Sequence, residues 1–186
     1  MEYFQYYVEG EDEEKLINVL KSDMQCIVAG KVQVFNPVTE KITAMRLRTL
    51  KKYTTVILVF DTDVSETKII EENIKTLKSC ANVSKVYCIP QVFNIEDELE
   101  RCCNIKSIDD LLGTSGSKEF KRRLIIEKNL EKKLVSADFD VEKLWSKAPI
   151  GLFKDIPNDS DKIKISCTTG MRKMNSWQFL HKNRNV

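Results

Sequence analysis

The apolar positions of this chain fall into two kinds of run. Short runs rich in aromatic or β-branched residues read as strands, and spaced apolar residues among charges read as helices. Tyr3 to Val8 is the first strand, ended by Gly10. From Asp12 to Leu20, Leu16, Ile17, Val19 and Leu20 recur among charges, which predicts a short amphipathic helix. Acids crowd its first turn, where the positive end of the helix dipole favours them. Gln25 to Phe35, interrupted by Gly30, reads as one strand or as two short ones bent at the glycine. Thr39 to Lys52 spaces Ile42, Met45, Leu47 and Leu50 as a helix would. Thr54 to Phe60 is continuously β-branched or apolar, as expected of a central parallel strand buried on both faces. Ser65 to Cys80 predicts a helix with Ile69, Ile70, Ile74 and Leu77 on one side. Val83 to Ile89 is a further strand closed by Pro90, and Ile95 to Cys103 a short helix.

This β-α-β-α-β-α-β order predicts an α/β fold, with a parallel sheet of about four strands flanked by helices. Beyond residue 105 the pattern turns mostly helical. Short helices are expected at Ser107 to Leu112 and Val141 to Ser146, and one basic helix from Lys118 to Leu134 after the loop Gly113 to Ser117. A strand is possible at Lys162 to Cys167. The chain therefore divides into a core over residues 1–105 and an extension over residues 106–186 that packs on it.

Composition narrows the class. The 186 residues are 42% hydrophobic and 31% charged, which excludes disorder and a collagen-like repeat. No apolar run approaches a membrane span, and Met1-Glu2-Tyr3-Phe4 is no secretory leader. The six cysteines form no Cys-x-x-Cys pair, so reduced thiols and a cytoplasmic protein without membrane contact are expected. The net charge of +2 hides an asymmetry. Residues 1–100 carry 12 Lys and Arg against 17 Asp and Glu, a balance of −5, and residues 101–186 carry 18 against 11, a balance of +7.

Two acidic motifs end predicted strands: Val8-Glu9-Gly10-Glu11-Asp12-Glu13 and Val59-Phe60-Asp61-Thr62-Asp63. In parallel sheets, function gathers at the carboxyl ends of strands. If the first and third strands are neighbours, Glu9 meets Asp61 and Asp63. Carboxylates so placed repel one another, and a hard divalent cation, Mg²⁺ or Mn²⁺, relieves them. Gly10 would allow a sharp turn and leave room above Glu9. The same acids would also serve simply as helix-start acids, caps and turn residues.

A strand ending in Glu-Gly, a helix, and a later strand ending in Asp-x-Asp resemble the Toprim pattern, over roughly residues 1 to 103. That domain is shared by topoisomerases, bacterial primases, recombination proteins, ribosomal-RNA maturation nucleases and OLD-family nucleases. The resemblance matches Glu9 to the family's invariant glutamate, and Asp61 with Asp63 to its Asp-x-Asp pair. Glu13 falls where OLD-like members place a second acid. Asn94-Ile95-Glu96 resembles their later acidic segment, with asparagine in place of aspartate, so Glu96 alone carries over. The implied activity is Mg²⁺- or Mn²⁺-dependent phosphodiester hydrolysis in DNA or RNA, with Glu9, Asp61 and Asp63 holding metal. Glu13 and Glu96 would serve a second metal or orient water. The chain lacks the phosphate-loop pattern of an ATPase, so an ATPase partner, usual among OLD proteins, would be a separate chain. The resemblance is strongest to compact members of phage-defence systems. The alternative is a non-catalytic sensor or interaction subunit that partners an ATPase. A primase-like nucleotidyl transferase would need further domains.

In the basic half, Lys118, Lys121, Arg122 and Arg123 on one helix are the candidate nucleic-acid-binding residues, against a solvated helix balanced by Glu119, Glu127 and Glu131. OLD-like nucleases use a lysine near the metals, for which Lys118 and Lys121 are the candidates here. The tail from Met171 to Trp177 could stack on an unpaired base, and His181 is a general base by type.

Overall fold

The computed structural model describes residues 2–165. Four strands form one all-parallel sheet in the order β2-β1-β3-β4: β1 (Tyr3–Val8), β2 (Lys31–Val34), β3 (Thr54–Asp61) and β4 (Val83–Gln91). The flanking helices are α1 (Glu11–Asn18), α2 (Ala44–Arg48), α3 (Lys68–Lys78), α4 (Ile95–Cys102), α5 (Ile108–Leu112), α6 (Ser117–Ile126) and α7 (Leu130–Ser136). The α/β parallel-sheet class expected from the pattern is the class observed. Every residue of β3 is buried, as its unbroken apolar run requires. Pro90 lies within β4, an edge strand, where its missing N–H leaves no ladder bond unmade on the outer side.

Alternation along the strands builds two cores. Tyr6, Val8, Ile57, Val59 and Ile89 face one side, where Leu16 and Ile17 of α1, Leu99 of α4, Phe120 and Leu124 of α6, Leu130 and Leu134 of α7, and Trp145 cover them. Tyr7, Val56, Leu58 and Phe60 face the other, under Ile70 and Leu77 of α3, with Phe153 and Ile156. Residues after 105 thus contribute to both layers.

The strand order places a topological switch between β1 and β3. The chain leaves β1 toward β2 on one side and leaves β3 toward β4 on the other, which opens a crevice above their carboxyl ends.

Four local expectations need correction. The helix expected over Thr39 to Lys52 shrinks to Ala44–Arg48, because Asn73 of α3 straps the preceding loop. Its side chain accepts from the Ile42 N–H at 2.8 Å and donates to the Pro37 and Glu40 carbonyls at 2.8 and 2.7 Å. The single helix expected from Lys118 to Leu134 is two, α6 and α7. Glu127 breaks it, with extended backbone and a side chain that accepts the Asn129 N–H at 2.9 Å. Val141 to Ser146 is a run of turns rather than a helix, with Trp145 at φ 54°. Over the described part of Lys162 to Cys167 the chain closes a 3₁₀ turn (Ser160–Lys162), and Lys164 forms an antiparallel bridge with Ile27. Cys167, the Met171 to Trp177 tail and His181 lie outside the described residues.

Cys80, Cys88, Cys102 and Cys103 are free thiols. Among the described residues no helix is long and apolar enough to cross a membrane.

Candidate functional site: the carboxyl edge of the sheet

Each strand delivers one polar residue to the same edge. Asn36 lies just past the end of β2, Glu9 follows β1, Asp61 ends β3 and Gln91 ends β4. The register pairs Val8 with Val59 and Asp61 with Gln91, which brings Glu9 beside the end of β3 at the switch point. The Asp61 N–H donates to Glu9 Oε2 at 3.3 Å. Burial raises the Glu9 pKa, and the Asp63 charge adds to the rise. The Asp61 N–H, the Asn36 side chain and the Lys121 charge oppose it.

Asp61 is 5% exposed. Gln91 Nε2 donates to its Oδ1 at 2.6 Å, and the same amide reaches Glu13 Oε1 at 3.4 Å. Gln91 is oriented in turn by Trp145, whose indole N–H donates to Gln91 Oε1 at 3.3 Å. Burial, then the Glu9 charge, pushes the Asp61 pKa up to about 8, although Gln91 and Lys121 both favour the ionised form.

Asp63 separates from Asp61. After β3 the chain turns at Thr62, whose N–H donates to the Gln91 and Phe93 carbonyls at 3.1 and 2.9 Å, and Asp63 is exposed. Strand alternation stops there, and only its charge acts on Glu9 and Asp61.

Glu13 belongs to the first turn of α1 and reaches back to cap it, accepting the Gly10 N–H at 2.8 Å. Burial comes first, followed by the charges of Asp12 and Asp61, in pushing its pKa up to about 9. The room at Gly10 is taken by these acids: a Cβ there would lie 2.5 Å from Asp12 Oδ1 and 3.1 Å from Glu13 Oε2. The φ of Gly10, −139°, is open to any residue, so close approach and not backbone conformation favours glycine.

Glu96 opens α4 and is 8% exposed. Its Oε1 accepts a short hydrogen bond from the Ser117 hydroxyl at the start of α6. Its Oε2 is buried without a hydrogen-bond partner. The nearest cation is Lys121 of α6, whose Nζ lies 3.6 Å from Glu96 Oε2 and 3.5 Å from Asp12 Oδ2. Burial works against this ammonium, but Asp12, Glu96, Asp61 and Glu13 outweigh it and push its pKa up to about 12.

The four basic candidates thus divide. Lys121 turns inward to the acids. Lys118, Arg122 and Arg123 are exposed, lining a surface groove with Ser115, Glu119, Ile125 and Ile126. Arg123 also pairs with Glu127 at 3.6 Å.

Sequence reasoning missed Asp12, Gln91, Trp145 and Glu98. The last is fully buried, accepts the Val92 N–H at 2.8 Å and the Trp145 N–H at 2.9 Å, and pairs with Arg101. Gln91 lay two residues past the predicted strand end at Ile89, without a charge to mark it.

The donor set suits a hard cation: carboxylate oxygens, desolvated and short of positive charge, with one oxygen of Glu96 unpartnered. The arrangement is not a formed coordination shell. Among the described residues no group of three or more His, Cys, Asp or Glu side chains is gathered to hold a metal ion. Gln91, Gly10 and Lys121 occupy the acids instead. The fold and this edge define an α/β parallel-sheet protein with a buried acidic cluster at its switch point. Compared with known proteins, the chain matches no family model, no curated protein and no solved structure.

Proposed function

We propose that this chain is a metal-dependent phosphodiester hydrolase of Toprim type that acts on DNA or RNA. The observation that carries the reading is the meeting of Glu9 and Asp61 at the switch point, joined by the 3.3 Å hydrogen bond from the Asp61 N–H to Glu9 Oε2. The motif order of the Toprim pattern requires that meeting. In this reading Glu9 and Asp61 hold Mg²⁺ or Mn²⁺, with Asp63, exposed just after Thr62, as the third acid. When bound, such a cation supplies polarisation of a phosphoryl oxygen and a more acidic water. Glu96 has an oxygen without a hydrogen bond, faced by Lys121, with which to orient water or share the metal. Glu13, bonded to Gly10 and Gln91, serves to shape the edge. Lys118, Arg122 and Arg123 would steer the phosphate backbone toward it.

A second reading has its own observation. The acids are already partnered within the chain by Lys121 and Gln91, which suits a non-catalytic subunit that binds a separate ATPase, as in a defence complex. Incubating the protein with single- and double-stranded DNA, ribosomal RNA and tRNA, in Mg²⁺ or Mn²⁺, separates the two. The hydrolase reading expects metal-dependent cleavage of at least one substrate. Inertness toward all of them, with and without an ATPase encoded beside the gene, would favour the second.

A further inference from the structure

Among the described residues, Lys121 is the one cation whose contacts join three helices at the acidic edge. It rises from α6 and faces Asp12 of α1 and Glu96 of α4. Both distances, 3.5 and 3.6 Å, are at the long end for an ammonium and a carboxylate. The ammonium is thus held by summed charge rather than by a tight bond to either acid. Asp12 and Glu96 are each 8% exposed, while the Lys121 side chain keeps 39% of its surface in solvent. The acids are fixed and the lysine has a route out. Glu96 Oε2 remains without a hydrogen-bond donor despite its burial.

One flexible monovalent charge thus does for this pocket what a divalent ion does at other acidic clusters. The neighbouring charges also reach it, since Asp61 and Glu13 act on Lys121 across the same space. Two cations cannot both take the field of these acids without repelling one another.

Resting on the metal reading above, we propose that Lys121 is a resident counter-cation that competes with the divalent ion, so that metal entry drives its side chain out of the acidic edge. Released, it joins Lys118, Arg122 and Arg123 of its own helix on the outer surface. Metal occupancy and the basic surface are then coupled, the ion arriving as a fourth positive side chain is freed for phosphate.

Mn²⁺ binding, read from the electron-paramagnetic signal of free aqueous Mn²⁺, tests this on the full chain as wild type, Lys121→Met and Asp61→Asn. Lys121→Met should bind Mn²⁺ about tenfold more tightly or better, the scale of removing one unit charge a few ångströms from a divalent ion. It should also melt at a lower temperature than wild type without metal, and recover on adding Mn²⁺. Unchanged or weaker Mn²⁺ binding by Lys121→Met overturns the competition, and leaves the metal site standing if Asp61→Asn loses its Mn²⁺. Absence of binding by wild type and Lys121→Met alike overturns the metal reading and this inference together. A second measurement needs no variant. In wild type, acetylation of Lys121 by an acylating reagent, read by mass spectrometry against Lys118, should rise when Mn²⁺ is added. An unchanged or lower yield contradicts release.

Discussion

Asp61 ends β3 opposite Gln91, and that amide decides what the carboxyl group can do. Gln91 donates at 2.6 Å and is itself held by the Trp145 indole. The favourable bond does not cancel burial, which with Glu9 carries the Asp61 pKa to about 8, while Glu13 rises to about 9. Groups with raised folded pKa values stabilise the fold when protonated. That stability is complete below the ordinary carboxyl range and is lost as the pH climbs through about 8 to 9. Metal-free protein should therefore melt progressively lower from pH 5 to pH 9. Glu13→Gln and Asp61→Asn should each flatten the slope, because a neutral amide carries no titration to lose. Thermal unfolding across that range checks it, and a variant slope equal to wild type would contradict the assigned burial. Glu9 and Asp61 were legible as strand-end acids. Gln91 was not singled out, because an amide carries no charge signal, and its role depends on register.

At the level of elements, the β4–α4 turn is stapled to the segment at Trp145 by one side chain. Glu98 accepts the backbone N–H of Val92 with one oxygen and that of Trp145 with the other, and neutralises Arg101. Glu98→Ala would leave two buried N–H groups and a guanidinium unpaired, costing about 3 kcal/mol. Chemical denaturation should register that loss, whereas Lys75→Ala, at an exposed position of α3, should fall within about 0.5 kcal/mol of wild type. The strands, α1, α3 and α4 could be read from periodicity, since their burial follows directly from the sheet. The break between α6 and α7 could not. The apolar spacing continues through Leu124, Leu130 and Leu134, and only the fold-back of Glu127 onto Asn129 ends the first helix. The loop before α2 was misread for a related reason. Ile42 and Met45 have helical spacing, but Asn73, far away in sequence, holds the backbone at Pro37, Glu40 and Ile42.

Across the whole molecule, the charge asymmetry acquires a different meaning from that suggested by the two halves alone. The acidic half supplies Glu9, Asp12, Glu13, Asp61 and Glu96, and the basic half places Lys121 among them. The extension also fixes Gln91 through Trp145 and contributes to both hydrophobic layers. The proposed site is therefore a product of both halves, which composition could not reveal because packing brings Lys121 to Asp12 across more than half the chain. The central claim is that Glu9 and Asp61 form a hydrolytic metal site. Its most direct test is Mn²⁺-dependent cleavage of the preferred nucleic-acid substrate by Glu9→Gln and Asp61→Asn, with melting curves recorded in parallel. The account predicts a fall in rate of about 10² or more in both variants with folding retained. Cleavage at the wild-type rate by either folded variant would contradict it.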